Sequence, residues 1–585
     1  MKNLLLFLFL IITSTTLHAQ VGTQSLEGYY RPPMDGVLLP SGNFGEVRSG
    51  RFHAGVDIKT GGVEGWPVYA TADGYVSRIS FAPGGFGKAI YVNHPNGTTT
   101  VYGHLQRFTP TIERHVAEQR YRQKRHAVEL YPDARTFPVA KGELIGYSGN
   151  TGASAGPHLH YEVRDAATQE PLNPIARGAL TLRDNIAPTI VRLHYIEVDT
   201  VGIVPLKSAP RAVEVARTAG NRYALRESEE LVLPARGYFV IEVTDRKNDS
   251  QNTMGIYSVA MTMDDEPLFG FAIDRFAFSA TRYAQSLHHF EMQRGARNQF
   301  VRLALQTNNR LPVYTKIRDR GLVTPAADGR RHRIGIEVRD DAGNVSTLDF
   351  FVRRAEEGSP RFYTDADTDG TPVDCRRRFS ATLDGLRLTI PEGALYESIF
   401  LRHERDDEPD LRSAMTLYSP VYTLHDARTP LHSAINISIP APDLPQELRP
   451  KACLGIVSAD GATISYMGGA WNNGAVAGDV SMFGRYCVVA DTTPPTVTPG
   501  FANGADLRGR RSVTFAIKDD FSGIASYEAT INGEWIALDA NSGRTTLTHH
   551  FDNDRIAYTG GRHTLRLTVT DNRGNATTVT REFIR

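Results

Sequence analysis

Five residues in three short segments carry the chemistry of this chain. FHAGVDI holds His53 and Asp57, VYGHL holds His104, and GPHLHYEV holds His158 and His160. Catalytic zinc takes about three nitrogen or oxygen ligands from the protein and keeps a fourth position open. His53, Asp57 and one of the later histidines supply such a set. His158 and His160 are two apart in a strand-like run, so both imidazoles face one way, about 6–7 Å apart along the strand. One of them can bind metal while the other accepts a proton from water and returns it to a leaving amine. The second histidine of that pair, or His104, can hydrogen-bond an oxyanion as a carbonyl becomes tetrahedral. Singly, each segment also reads as ordinary structure: a half-buried strand pair, a turn His and Asp, a strand-capping histidine. Together, within 40–175, they point to metal-assisted hydrolysis.

The elements that must position these residues are strands. PVYATADGYVSRISF (67–81), KAIYVNH (88–94), TTTVYGHL (98–105), GELIGYSG (142–149) and HLHYEVRD (158–165) are apolar or alternating runs bounded by Gly, Pro and Asn. They predict an antiparallel β catalytic domain over 20–180. One stretch breaks the pattern. PTIERHVAEQRYRQKRHAVE (110–129) has no glycine and is rich in helix formers. It predicts a helical insertion over about 110–134, bearing Arg120, Arg122, Lys124 and Arg125. A lid, a substrate wall, a self-inhibitory plug and a solvated surface helix all fit that composition. His115 and His126 in it are expected to be exposed. His94, before a PNG turn, reads as structural; Arg48 reads as an ion-pair partner near the site. Glu162 shares a strand face with His160 and suits a supporting role behind it.

The segments resemble the lysostaphin/LytM-type zinc metallopeptidases, which cleave peptide cross-links in bacterial cell walls. The resemblance runs through FGEVRSGRFHAGVDI (44–58), GWPVYATADGYVSRI (65–79), YVNHPNGTTTVYGHL (91–105) and KGELIGYSGNTGASAGPHLHYEVR (141–164). It implies that His53, Asp57 and His160 bind one Zn2+, that His158 is the general base, and that His104 stabilises the transition state. It implies a zinc metalloendopeptidase that activates water to hydrolyse stem peptides or cross-links of peptidoglycan. The sequence departs from the family pattern at Ala155, where threonine is common, and in the long insertion after His104. The insertion leaves room for an alternative, a non-catalytic or autoinhibited wall-binding regulator.

The remainder of the chain frames this domain. Lys plus Arg and Asp plus Glu are both 65, so the zero net charge carries no footprint for nucleic acid. MKNLLLFLFLIITSTTLHAQ reads as a secretory signal over 1–19, too short in its apolar run to span a membrane. It predicts export across the inner membrane to the periplasm or cell envelope. DNIAPTIV from Asp184 and DTTPPTVT from Asp491 open a weak internal repeat. Its strand, Asp-rich turn, strand pattern predicts immunoglobulin-like β-sandwiches over 184–355 and 491–585. An accessory β module fills 356–490. The fold class is therefore mostly β, a catalytic domain followed by several β-sandwich modules. These modules offer surfaces for cell-envelope protein partners, and adhesion or complex assembly is a further reading of their task. The Asp-rich turns invite a calcium reading, but no segment has the full oxygen-ligand loop, and Asp, Asn and Gly build tight turns unaided. Cys453 and Cys487 are the expected disulfide pair among three cysteines, with Cys375 left over.

Overall fold

The computed structural model describes residues 25–48, 50–234, 236–356, 368–551, 556, 558 and 560–585. The expected leader, 1–19, lies outside the described residues. Among the described residues, no helix is long and apolar enough to cross a membrane.

The chain is mostly β, as its alternating patterns predict. Strands β1 (Pro40–Gly42), β2 (Val56–Lys59), β3 (Gly74–Phe81), β4 (Lys88–Asn93), β5 (Thr98–Leu105), β6 (Val128–Leu130) and β7 (His158–Asp165) lie in one antiparallel sheet, in the order β1-β2-β7-β5-β4-β3-β6. Val56, Ile58, Val76, Ile90, Tyr102, Leu159 and Tyr161 belong to its core. Every residue of β5 is buried, so the sheet is covered on both faces at its centre. Register then places the chemistry: His160 of β7 stands opposite Asp57 of β2 on one side and Gly103 of β5 on the other.

The insertion is helical only in its first half. Helix α1 (Pro110–Gln123) starts with proline at its first turn, where the missing N–H is no loss. Glu113 caps that end by accepting the Phe108 N–H at 2.8 Å. Lys124, at φ 48°, turns the chain out of the helix. Ile112, Val116 and Arg120, spaced by four, form the buried face. The chain then returns as β6 and pairs with the outer edge of β3. The expected exposure of His115 and His126 is corrected. His115 packs edge-on against Phe137 at 5.3 Å. His126 is stacked on Tyr527 and Trp535 of the last module, at 4.8 and 4.9 Å between ring centroids. Arg120 pairs with Asp539 at 2.7 Å and donates to Leu538 O at 3.0 Å. The insertion is thus the seat of the C-terminal module. Aromatic and ionic contacts drive this docking, and neither shows as a periodicity in sequence.

Strands between Thr189 and Arg354 form a twelve-stranded sheet wound on one core. Phe44, Phe52 and Ala54, which lie around His53, are buried in that core. Two five-stranded sheets follow between Phe379 and Ala490. Sheets of four and five strands close the chain and share a core that includes Phe515, Leu547, Leu567 and Phe583. The expected Cys453–Cys487 bridge is absent; all three cysteines are buried free thiols. Cys453 pairs with Val489 and Cys487 with Gly455, so the two cysteines are diagonal neighbours. Diagonal positions lie about 7–8 Å apart, beyond ordinary disulfide reach.

Candidate active site

His53, Asp57 and His160 are buried, and each offers a ligand atom within 4.8 Å of the other two. The hydrogen bonds fix which atoms face inward. His53 Nδ1–H donates to Asn43 O at 2.8 Å, leaving Nε2 as the lone pair. His160 Nε2–H donates to Glu162 Oε1 at 2.8 Å, leaving Nδ1. These two lone-pair nitrogens are 3.0 Å apart, and Asp57 Oδ1 lies 3.1 Å from one and 2.9 Å from the other. Two lone pairs and a carboxylate oxygen that converge this closely repel unless a proton or a metal ion stands among them. The donor set, two imidazoles and one carboxylate, suits zinc. Burial opposes charge on His160, yet hydrogen bonds to Asp57 and Glu162 push its pKa up to about 9. Burial likewise opposes ionisation of Asp57, yet the His53, His158 and His160 rings hold its carboxyl well below the usual range.

Behind the ligands stands a second layer. Glu162 Oε2 accepts Arg164 Nε at 2.5 Å, and neither side chain reaches solvent appreciably. Arg48 Nη1 donates to Asp57 Oδ2 at 2.5 Å, as its position near the site suggests. Phe86 stacks on His160 at 4.9 Å between centroids.

His158 and His104 face each other beside this centre, with rings 4.7 Å apart. His158 Nδ1–H donates to Gly156 O at 2.8 Å, and its Nε2 lies 3.4 Å from Asp57 Oδ1. His104 Nδ1–H donates to Thr151 O at 2.8 Å. A bulge aims this ring. Lys88 pairs with Leu105 and Ile90 with Tyr102, so β5 carries an extra residue there. His104 sits in it at φ 60°, a conformation uncommon outside glycine and one that clusters at functional sites. Burial, then the charges of His160 and His158, lower the His104 pKa to about 3, so the ring is neutral. The five residues line a cleft of about 780 Å³ with Gly85, Phe86, Ser154 and Ala155. No described residue of 110–134 lines it. A larger cavity, about 1030 Å³ around Leu401, His425 and Phe483, lies elsewhere. Converging donors, rather than size, mark the cleft as the candidate site.

A model of peptidase family M23 matches residues 51–120 and 134–174, which contain all five residues and skip part of the insertion. This part of the chain is a lysostaphin/LytM-type M23 peptidase domain. A Zu5-like domain matches residues 371–491. Over 126 residues the M23 domain is 36% identical to the DD-carboxypeptidase/endopeptidase Mpg of Neisseria meningitidis serogroup B, covering 22% of this chain and 23% of that protein. Over 153 residues it is 31% identical to the peptidoglycan DD-endopeptidase ShyC of Vibrio cholerae, covering 24% and 28%. The chain thus spans about a quarter of the length of these curated relatives. The catalytic domain of lysostaphin from Staphylococcus simulans is similar at 22% identity and a TM-score of 0.18, covering 24% of this chain and 93% of that one.

The sequence names the five residues that meet, with Arg48 and Glu162 beside them, but misses what fixes His53. Asn43 carries no motif. Its backbone oxygen fixes the His53 tautomer, while its side chain bonds Gly255 O and Asp341 Oδ2 at 2.8 and 3.1 Å and accepts the Gly255 N–H at 2.7 Å. The metal-site loop is therefore clamped by the module that follows it.

Proposed function

We propose that the M23 domain is a zinc-dependent endopeptidase acting on peptide stems or cross-links of bacterial peptidoglycan, outside the cytoplasm. One observation carries the reading: a buried His53, Asp57, His160 donor set lies at the floor of a cleft in which His104 and His158 have their Nδ1 atoms tied to main-chain carbonyls. The relatives named for DD-endopeptidase activity give the substrate class its support.

When bound, zinc supplies a Lewis acid that polarises a peptide carbonyl and acidifies water. His53, Asp57 and His160 hold it, and Glu162 and Arg48 fix the orientation of His160 and Asp57. His158 presents Nε2 as its lone pair, takes a proton from the attacking water there and returns it to the leaving amine. His104, neutral and in the same tautomer, orients that water by accepting its second hydrogen at Nε2. By holding that water in place as it attacks, His104 fills the transition-state role that the family resemblance assigns to it.

The test is digestion of purified peptidoglycan by the mature protein, with His158→Ala and His160→Ala in parallel, read by mass spectrometry of released fragments. Loss of cross-linked peptides with the unaltered protein alone is expected. Equal fragment release by His160→Ala would refute the assignment.

A further inference from the structure

A second convergence of donors lies far from the cleft. Asp491, Asp519 and Asp571 each offer a carboxylate oxygen within 4.8 Å of the other two. They come from three segments: the linker after strand Gly484–Ala490, the turn after strand Ser512–Lys518 and the end of strand Arg562–Asp571.

Turn formation explains only part of their oxygen inventory. Asp491 Oδ1 accepts the Thr493 N–H at 3.1 Å. Asp519 Oδ2 accepts the N–H groups of Phe521 and Gly523 at 3.1 and 2.6 Å. Asp571 Oδ1 accepts those of Arg573 and Asn575 at 2.7 and 2.8 Å. Asp491 is only 3% exposed, and its buried Oδ2 has no hydrogen-bond partner among the described residues. An ionised carboxylate oxygen only accepts, so a buried one calls for a donor or a cation. Two basic side chains nearby are turned to main-chain carbonyls: Lys451 Nζ to Arg573 O at 2.9 Å, and Arg573 Nη1 to Ala452 O and Gly469 O at 2.7 and 2.8 Å.

The first copy of the internal repeat places a basic side chain beside the corresponding carboxylates. There the Asp340 turn reproduces the Asp571 turn: Oδ1 accepts the Ala342 and Asn344 N–H groups at 3.0 and 2.8 Å, and Oδ2 accepts Asn344 Nδ2 at 2.8 Å. Asp571 Oδ2 likewise accepts Asn575 Nδ2 at 2.7 Å. Beside these carboxylates stands a fully buried ammonium, Lys247 Nζ, 2.9 Å from Asp184 and 2.5 Å from Asp341, which correspond to Asp491 and Asn572. Lys247 is two residues beyond Asp245; two residues beyond Asp519 the second copy has Phe521. The built-in cation has no counterpart there.

We propose that Asp491, Asp519 and Asp571 bind one divalent cation of the Ca2+ class, which supplies beside Asp491 the positive charge that Lys247 supplies beside Asp184 in the first repeat. All-oxygen donors select a hard cation over zinc. This replaces the turn-only reading of these aspartates. The ion ties the last residue of the Zu5-like domain to two turns of the final sandwich and stiffens that junction.

Calorimetric titration of Ca2+ into the zinc-loaded full chain tests this, alongside His160→Ala, Asp491→Asn and Asp519→Asn. The expected result is one Ca2+ per chain, with Kd of about 10⁻⁴–10⁻³ M as in other extracellular modules. Binding should persist in His160→Ala, vanish in both aspartate variants, and raise a melting transition only where it occurs. Because the unaltered chain and His160→Ala decide the first point, a variant that fails to fold does not shelter the proposal. No Ca2+ uptake by the folded full chain at ~10 mM, well above that range, or undiminished uptake by a folded aspartate variant, overturns it.

Discussion

Replacing Glu162 by glutamine separates support of the metal site from simple packing. Glu162 is fully buried, accepts His160 Nε2–H at 2.8 Å and carries Arg164 on its other oxygen. The amide oxygen can still accept the imidazole proton, while the charge is removed and the amide NH2 is set against the Arg164 Nε–H. A hydrogen bond to a charged group contributes about 1.5–3 kcal/mol, and a neutral one about 0.5–1.5. The difference, roughly 1–2 kcal/mol, corresponds to roughly 5–30-fold weaker zinc binding. That range overlaps the ~10–100-fold typical of groups that orient a metal-bound histidine. The substitution also leaves the Arg164 guanidinium against a neutral partner, so a lower melting temperature is expected and must be measured separately. Zinc affinity by chelator competition on the folded protein is the assay. Arg164→Lys serves as the control: it disturbs the same pair but leaves Glu162 charged, so it should lower stability with little change in zinc affinity. A folded Glu162→Gln variant that binds zinc within about twofold of the unaltered chain, under ~0.5 kcal/mol, would show that Glu162 serves Arg164 alone.

A chain ending at residue 183 exposes Phe44 and Phe52, whose burial is worth roughly 1.5–3 kcal/mol each, and frees the Asn43 clamp. It should melt well below the corresponding transition of the full chain by circular dichroism; an unchanged melt would contradict the shared core. Arg120→Ala removes the contacts to Asp539 and Leu538 and should weaken docking of the last module by about 1–3 kcal/mol. Faster limited proteolysis after residue 491 would report this, with the hydrolytic rate unchanged because α1 does not line the cleft. Burial, reinforced by the Asp340 charge, raises the Asp245 carboxyl to about 9. A folded-state value above the unfolded one means stability that is full below the ordinary carboxylate range and is lost as pH rises through about 9. Asp245→Asn should therefore gain on the unaltered chain steadily between about pH 5 and pH 9 in thermal melts; a constant gap would contradict the raised value.

The sequence by itself determined the parts whose physics is local. Alternation in TTTVYGHL and HLHYEVRD made strands, and the two-residue spacing of His158 and His160 put both rings on one face. Motif order supplied the five residues, and Glu162 followed from the same spacing. Helix formers and the absence of glycine marked α1, though not where it ends or which face it buries. Nothing local revealed that β6 would join the edge of β3, because edge pairing depends on what lies alongside rather than on the strand's own pattern. Nor could composition show that the insertion's cationic face would meet Asp539, Tyr527 and Trp535, more than 400 positions later.

Tertiary structure alone decided register, tautomer and neighbour. Opposition of His160 to Asp57 and Gly103 depends on how three strands slide against one another. The bulge that aims His104 arises from a mismatch between β4 and β5. The tautomers of His53 and His104 are set by carbonyls that sequence distance hides, those of Asn43 and Thr151. The same holds for the cysteines, where a two-residue offset in pairing places Cys453 and Cys487 diagonally and leaves both thiols free. Residue types state which chemistry is available. Long-range packing decides which lone pairs meet, because hydrogen bonds and strand pairs join atoms by distance in space and not by separation along the chain.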